Sequence, residues 1–256
     1  MFFGCIYTFC IDMSTVTITF GEQAENHVGM QKLGEKAQEG FSVQELKNAM
    51  EILFEKTECE LIDLSIPEFK GEAVVLVIRN GVYLFTDRED LWNELTALPV
   101  DKKAKMWERV VSKTARHNLC FDDFDQNPEY ELGKGTVVSW GRVPNLSCIR
   151  DELPQFLGEK ARNLKAEGNY YYDSDKCGIG WHGDSERTRV VALRLGQSMP
   201  LYFRWYMKSE PISDRIRIDL NDGDMYVMSG KAVGTDWKSK NIPTLRHSTG
   251  AEKYVR

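Results

Sequence analysis

His182 and Asp184 lie two positions apart in the segment GIGWHGDSE, residues 178–186. On a β-strand, residues i and i+2 project from the same face, so one strand end presents an imidazole and a carboxylate to a common point. With a second imidazole, these donors make the two-His, one-carboxylate set that suits non-haem Fe(II) and leaves positions open for substrate and oxygen. The chain has 4 histidines: His27, His117, His182 and His247. His247, in IPTLRHSTG near the end of another β-type run, is the candidate third ligand. His27 precedes the β-rich region in a polar context. His117, in KTARHNLCF, reads as a structural hydrogen-bonding residue, with the KTAR stretch as an alternative contact for a substrate phosphate. A His-x-Asp spacing alone also fits chance. Here it closes a strand, precedes Glu186 and is followed by a β-rich region with one late histidine, which favours the metal.

The elements that must position these residues are legible as patterns. Residues 41–57 predict an amphipathic helix, with Ser42 and Glu45 at capping-box spacing and Leu46, Met50, Leu53 and Phe54 on one face. Residues 72–87 predict a hairpin turning at Asn80-Gly81. Residues 88–113 predict helix with a break at Pro99, and residues 149–167 a helix interrupted or started near Pro154. From Asn169 onward, YYYD, CGIGWH, RVVALRL, PLYFRWY, RIRIDL, DMYVMS, PTLRHS and KYV predict short strands separated by turns. The expected organisation is a weakly ordered leader over 1–19, a small α+β region over 20–113, and a mostly β domain over 114–256.

The last of these resembles the AlkB-like Fe(II)/2-oxoglutarate-dependent dioxygenases, over about residues 165–256. The resemblance rests on NYYYDSDKCGIGWHGDSE, VVALRLGQSMPLYFRWY, DLNDGDMYVMSG and LRHSTGAEKYVR. It implies a double-stranded β-helix, or jelly roll, with flanking helices. It also implies Fe(II) on His182, Asp184 and His247, with 2-oxoglutarate and molecular oxygen as co-substrates. Asn169 and Tyr171 match the family's Asn-x-Tyr and would hydrogen-bond 2-oxoglutarate; the alternative is a strand-edge Asn with a packed Tyr. Tyr170 and Tyr172 would face the other way, into the core. The distal carboxylate needs a cation, and Arg256 or Lys253 is expected to supply it, since an Arg fork matches a carboxylate. The family carries two arginines further beyond its second His, where this sequence ends. Glu186, Arg187 and Trp181 would face substrate, although Trp181 also alternates away from the metal face and so reads more readily as core.

Composition bounds the substrate. Net charge is -6 and pI about 5.4, which disfavours broad nucleic-acid binding because that depends on Lys and Arg neutralising phosphates. Arg187, Arg189, Arg194 and Arg204 form a basic run that would either line a local groove for DNA or RNA or sit on a solvated sheet face. The 6 cysteines show no zinc-like spacing and predict reduced thiols. The apolar first residues lack a basic n-region and a cleavage motif, leaving Met1 or Met13 as the start. An intracellular, soluble protein, cytoplasmic or nuclear and with no membrane partner, is expected. Three functions remain: oxidative demethylation or hydroxylation of a nucleic-acid base, hydroxylation of a protein side chain or small molecule, and a non-catalytic β-sandwich binding module. A cupin-type centre usually draws on more histidines than this chain has.

Overall fold

The computed structural model describes residues 14–67 and 73–256. The expectations for the first residues, including Cys5, Cys10 and the choice between Met1 and Met13, lie outside the described residues. The chain opens with strands β1 (Thr15–Gly21), β2 (Gln23–Glu25) and β3 (Lys32–Gly34), then helix α1 (Val43–Leu53). Strands β4 (Cys59–Asp63) and β5 (Val74–Ile78), helix α2 (Arg88–Thr96) and strands β6 (Lys103–Met106), β7 (Arg109–Ser112), β8 (His117–Asp122) and β9 (Val137–Ser139) follow. Helices α3 (Pro144–Glu152) and α4 (Pro154–Leu157) precede strands β10 (Lys165–Tyr171), β11 (Gly178–His182), β12 (Val190–Gly196), β13 (Leu201–Met207), β14 (Glu210–Pro211), β15 (Ile216–Ile218) and β16 (Met225–Met228). Helix α5 (Gly230–Val233), strand β17 (Thr244–Gly250) and helix α6 (Glu252–Val255) complete it.

The architecture is mixed α+β and dominated by two sheets. The larger runs β4-β5-β16-β12-β1-β10-β8-β9; the smaller runs β11-β17-β13, with β14 and β15 both on β13. Alternation along the strands separates two faces of the large sheet. Val16, Ile18 and Phe20 of β1, with Val191, Leu193 and Leu195 of β12, join an apolar cluster with Leu46 and Leu53 of α1, Leu91 and Leu95 of α2, and Ile149 of α3. The opposite face packs on the small sheet: Val75, Val77, Val190 and Ala192 cluster with Leu201, Phe203, Trp205 and Leu245. The result is a β-rich sandwich with helices on one outer face.

Several elements differ from expectation. The capping box of α1 is present, with Ser42 accepting from the Glu45 amide and Glu45 accepting from that of Ser42. Asn80-Gly81, however, does not turn a hairpin. Asn80 takes a left-handed conformation (φ 52°) and leads into a 3-10 turn over Gly81–Leu84. A Cβ on Gly81 would come within 3.0 Å of Ile78 and Met225, so this glycine permits close packing. β5 pairs instead with β4 and β16, and all five of its residues are buried, as befits a strand covered on both faces. Beyond Pro99 the chain forms the β6–β7 hairpin, not helix. The strand β10 begins at Lys165, inside the stretch expected to be helical.

Two corrections bear on organisation. The leader boundary at 19 falls inside β1, which lies at the centre of the large sheet between β10 and β12. β4 and β5, from the region 20–113, belong to that same sheet. A third concerns the C-terminus: KYV is helical. Gly250 (φ 99°) turns the chain out of β17, where a Cβ would meet the Cys177 carbonyl at 2.4 Å, and Val255 of α6 is buried. Among the described residues, no helix is long and apolar enough to cross a membrane, and Cys59, Cys120, Cys148 and Cys177 are free thiols.

Candidate metal centre

The polar half of the sandwich interior is written in three adjacent strands. On the inner face of the large sheet, β10 places Asn169 opposite Thr17 of β1, and β1 places Thr17 opposite Arg194 of β12. Apolar residues take the outward positions of the same strands, so alternation aims these polar groups at the small sheet. They line a cavity of about 830 Å³ together with His182, Asp184 and His247.

Those three residues converge. Strand β11 slips register against β17 between Ile179 and His182, and past the irregularity His182 stands directly opposite His247. Such irregularities re-aim side chains beside functional sites. The two imidazole rings meet edge to face at 4.4 Å. Asp184 Oδ1 lies 3.6 Å from His182 Nε2 and 3.4 Å from His247 Nε2, and all three ligand atoms fall within 4.8 Å of one another. One ion with metal–ligand bonds of roughly 2.1 Å would bring such atoms to about 3 Å apart, a small contraction from what is observed. The turn carrying Asp184 is held from behind: its amide donates to the Val233 carbonyl at 3.0 Å. Gly183 packs so closely that a Cβ would sit 2.0 Å from the Gly234 carbonyl.

The electrostatics fit the donor set. His182 Nδ1 donates to the Gly180 carbonyl at 2.8 Å, which fixes the tautomer and leaves Nε2 with its lone pair toward the centre. Burial, then the neighbouring His247, pushes the His182 imidazole down to about 4, so it is neutral. Burial alone would raise the Asp184 carboxyl, but the Arg187 guanidinium and the two imidazoles outweigh it and hold it well below the usual carboxylate range. Buried His247 Nδ1 has no hydrogen-bond partner.

The other candidates are distributed unevenly. Asn169 and Tyr171 are buried and line the cavity. Asn169 Oδ1 accepts from Asn118 Nδ2 at 2.7 Å and from Arg116 Nε, which directs its amide nitrogen elsewhere. Tyr170 is core, its hydroxyl donating to the Leu95 carbonyl, whereas Tyr172 is exposed and stacks on His117. Trp181 is not a core residue: it lines the cavity, and its Nε1 donates to the Arg256 carbonyl at 3.1 Å. Glu186 also lines the cavity. Arg187 lies beside Asp184, is 2% exposed and pairs with three carboxylates through Nε and Nη2, with Glu167 at 2.7 Å, Glu186 at 2.8 Å and Asp184 at 3.3 Å, while its Nη1 is buried without a partner.

Arg256 and Lys253 are corrected. Neither lines the cavity. The Arg256 side chain is 78% exposed with its Nε 3.8 Å from Glu252, and Lys253 Nζ lies over the Tyr254 ring. The cause is the helical C-terminus, which replaces the strand that would have aimed one of them inward. The basic run is split between the cavity wall, where Arg187 and Arg194 lie, and half-buried positions at Arg189 and Arg204. Arg187 and Arg194 are buried inside, Arg189 donates to the Glu39 and Lys160 carbonyls, and Arg204 donates to the Ser213 carbonyl. Arg116, from the KTAR stretch, lines the cavity, as do Thr17 and residues 25–30 and 32, to which the sequence had assigned no role at the site. For Arg194 a signal existed: it occupies the inward position of the alternating strand VVALRLG, where Val190 and Ala192 precede it.

Fold and triad together define a β-rich sandwich carrying a candidate metal centre. No family model matches the chain. An uncharacterized protein of Acanthamoeba polyphaga mimivirus is 48% identical over 249 residues, which cover 94% of this chain and 98% of that protein. The chain belongs to the same family as that mimivirus protein.

Proposed function

We propose that the protein is an Fe(II)- and 2-oxoglutarate-dependent oxygenase of the AlkB-like kind that hydroxylates a C–H bond. The observation that carries this is the convergence of His182, Asp184 and His247 in one cavity, with ligand atoms within 4.8 Å. Two imidazoles and one ionised carboxylate are the donor chemistry that non-haem Fe(II) takes.

The strand order adds support for a double-stranded β-helix, in which eight strands alternate between two sheets. β10, β12 and β16 lie in the large sheet, while β11, β13, β15 and β17 lie in the small one. These make seven of the eight places. The eighth, between β10 and β12, is filled by β1 from the beginning of the sequence. On this reading β1 takes the place of the eighth strand.

Iron with 2-oxoglutarate and oxygen supplies oxidative hydroxylation, the oxo acid leaving as succinate and carbon dioxide. The protein's own residues do the rest. His182 is kept in one tautomer by Gly180, and Asp184 is kept ionised by Arg187. Asn169 and Tyr171 offer polar groups to the oxo acid from the cavity wall. Substrate would enter past Trp181, Glu186 and Trp237. The resemblance suggests a nucleic-acid base. The burial of Arg187 and Arg194 and the hydrogen bonds of Arg189 and Arg204 to backbone carbonyls leave that run fewer free cations for phosphates, which favours a protein side chain or small molecule.

Anaerobic titration with Fe(II), or Mn(II) as a redox-quiet stand-in, is expected to reveal one site that is lost in Asp184→Ala and His247→Ala. A folded protein that binds no divalent ion would contradict the metal centre and leave the binding-module reading.

A further inference from the structure

Arg194 is 1% exposed, and two of its guanidinium nitrogens, Nε and Nη1, are buried without a hydrogen-bond partner. The acid that acts on it electrostatically is engaged elsewhere. Asp224 is committed to Arg79 at 2.7 Å and to the amides of Asn80 and Asn221, each within 3.0 Å. Arg187, the other buried guanidinium of the cavity, leaves only Nη1 unpartnered and has its charge met by three carboxylates. Across the sheet from Arg194, at its register partner, Thr17 Oγ1 is buried and unpartnered as well. Two neighbouring buried donors therefore point into a cavity with nothing to donate to. An unmatched buried charge destabilises a fold strongly unless something supplies the counter-charge. An Arg fork is shaped for a carboxylate, which accepts two parallel hydrogen bonds.

We propose that Arg194 and Thr17 form a buried carboxylate seat, and that it holds the distal carboxylate of a 2-oxo diacid whose oxo-acid end faces His182, Asp184 and His247. This rests on the oxygenase reading for the second half of the statement. It moves the anchoring cation from the chain beyond the second His to the middle of the large sheet. It also gives β1 a ligand-binding role, since that strand brings Thr17 between Asn169 and Arg194.

The test is calorimetric binding to the full chain loaded with Mn(II), comparing 2-oxoglutarate with oxalate, which has no distal arm. Arg194→Met is expected to weaken 2-oxoglutarate by roughly 10- to 100-fold, the range for a charge-assisted hydrogen bond, with oxalate affinity unchanged. Arg194→Lys keeps the charge without the fork and is expected to fall between the two. Thr17→Val is expected to lose several-fold. The apo Arg194→Met protein should melt no lower than the wild type, because it sheds an unmatched charge; a residue with a purely structural role would lower the melting temperature. Unchanged 2-oxoglutarate affinity in Arg194→Met, or in Arg194→Lys and Thr17→Val if the first variant does not fold, overturns the seat and leaves the oxygenase reading standing. A wild-type protein that binds Mn(II) but not 2-oxoglutarate overturns both.

Discussion

Arg187 sets the charge state of Asp184 in the candidate metal centre. It lies against Asp184, Glu167 and Glu186 in the interior, so the aspartate enters the site ionised and oriented. Removing one partner of a buried ion network leaves uncompensated charge and costs about 3–5 kcal/mol. Arg187→Met is expected to lose stability of that order in urea and, because outer-shell partners tune metal affinity by about 10- to 100-fold, to bind Mn(II) more weakly. Unchanged values for both would remove Arg187 from the site. Lys113 gives a pH signature. Its ammonium is largely buried, hydrogen-bonded to Asn26 Oδ1 at 2.6 Å and Asn118 Oδ1 at 3.0 Å, and burial brings it down to about 8. Between pH 8 and the ordinary value of 10.5 the unfolded chain holds more protons at this residue than the folded one, so stability rises with pH across that window. The difference between wild type and Lys113→Met should change there by up to about 3 kcal/mol and be flat below pH 7. A flat difference throughout would show that the ammonium titrates normally.

The elements show what patterns carry. The capping box of α1 and the alternating strands β12, β13 and β17 were legible because each is a local arrangement with a fixed period. The grouping of His182, Asp184 and His247 was legible for the same reason, two of them lying at one strand end. What failed was decided by tertiary contact. Asn80-Gly81 looks like a hairpin turn, but Gly81 packs against Ile78 and Met225. Lys253 and Arg256 look like strand residues, but Gly250 turns them into a helix. The turn between His182 and Asp184 is a tertiary feature of the same kind. Gly183→Ala would drive a methyl into the Gly234 carbonyl, for which overpacking costs typically 1–3 kcal/mol. It should also weaken Mn(II) binding by displacing Asp184 from His247. Ser42→Ala, which removes only the α1 cap, should cost about 1 kcal/mol and leave Mn(II) affinity alone. Equal effects of the two variants on the metal would deny the turn its positioning role.

At the scale of the molecule, the sequence boundary between a small α+β region and a β domain does not divide the structure. β1, β4 and β5 enter the same sheet as the strands that carry Asn169 and Arg194. No local period can announce that a strand at residue 15 will insert between strands starting at 165 and 190, because that pairing exists only in the folded chain. Its consequence is testable. A chain starting at residue 22 lacks Val16, Ile18 and Phe20 from the outer core and leaves β10 and β12 without the strand between them. It is expected to show no cooperative unfolding transition, whereas a truncated chain that unfolds cooperatively and binds Mn(II) like the full one would make β1 an accessory.

The most direct test of the central claim is succinate release from 2-oxoglutarate by protein loaded anaerobically with Fe(II) and ascorbate, then given oxygen. Slow turnover without the true substrate is common in such enzymes. The account predicts succinate from the wild type and none from His182→Ala or Asp184→Ala. Succinate formed equally by all three proteins, or by none of them while 2-oxoglutarate also fails to bind in the presence of metal, would contradict it.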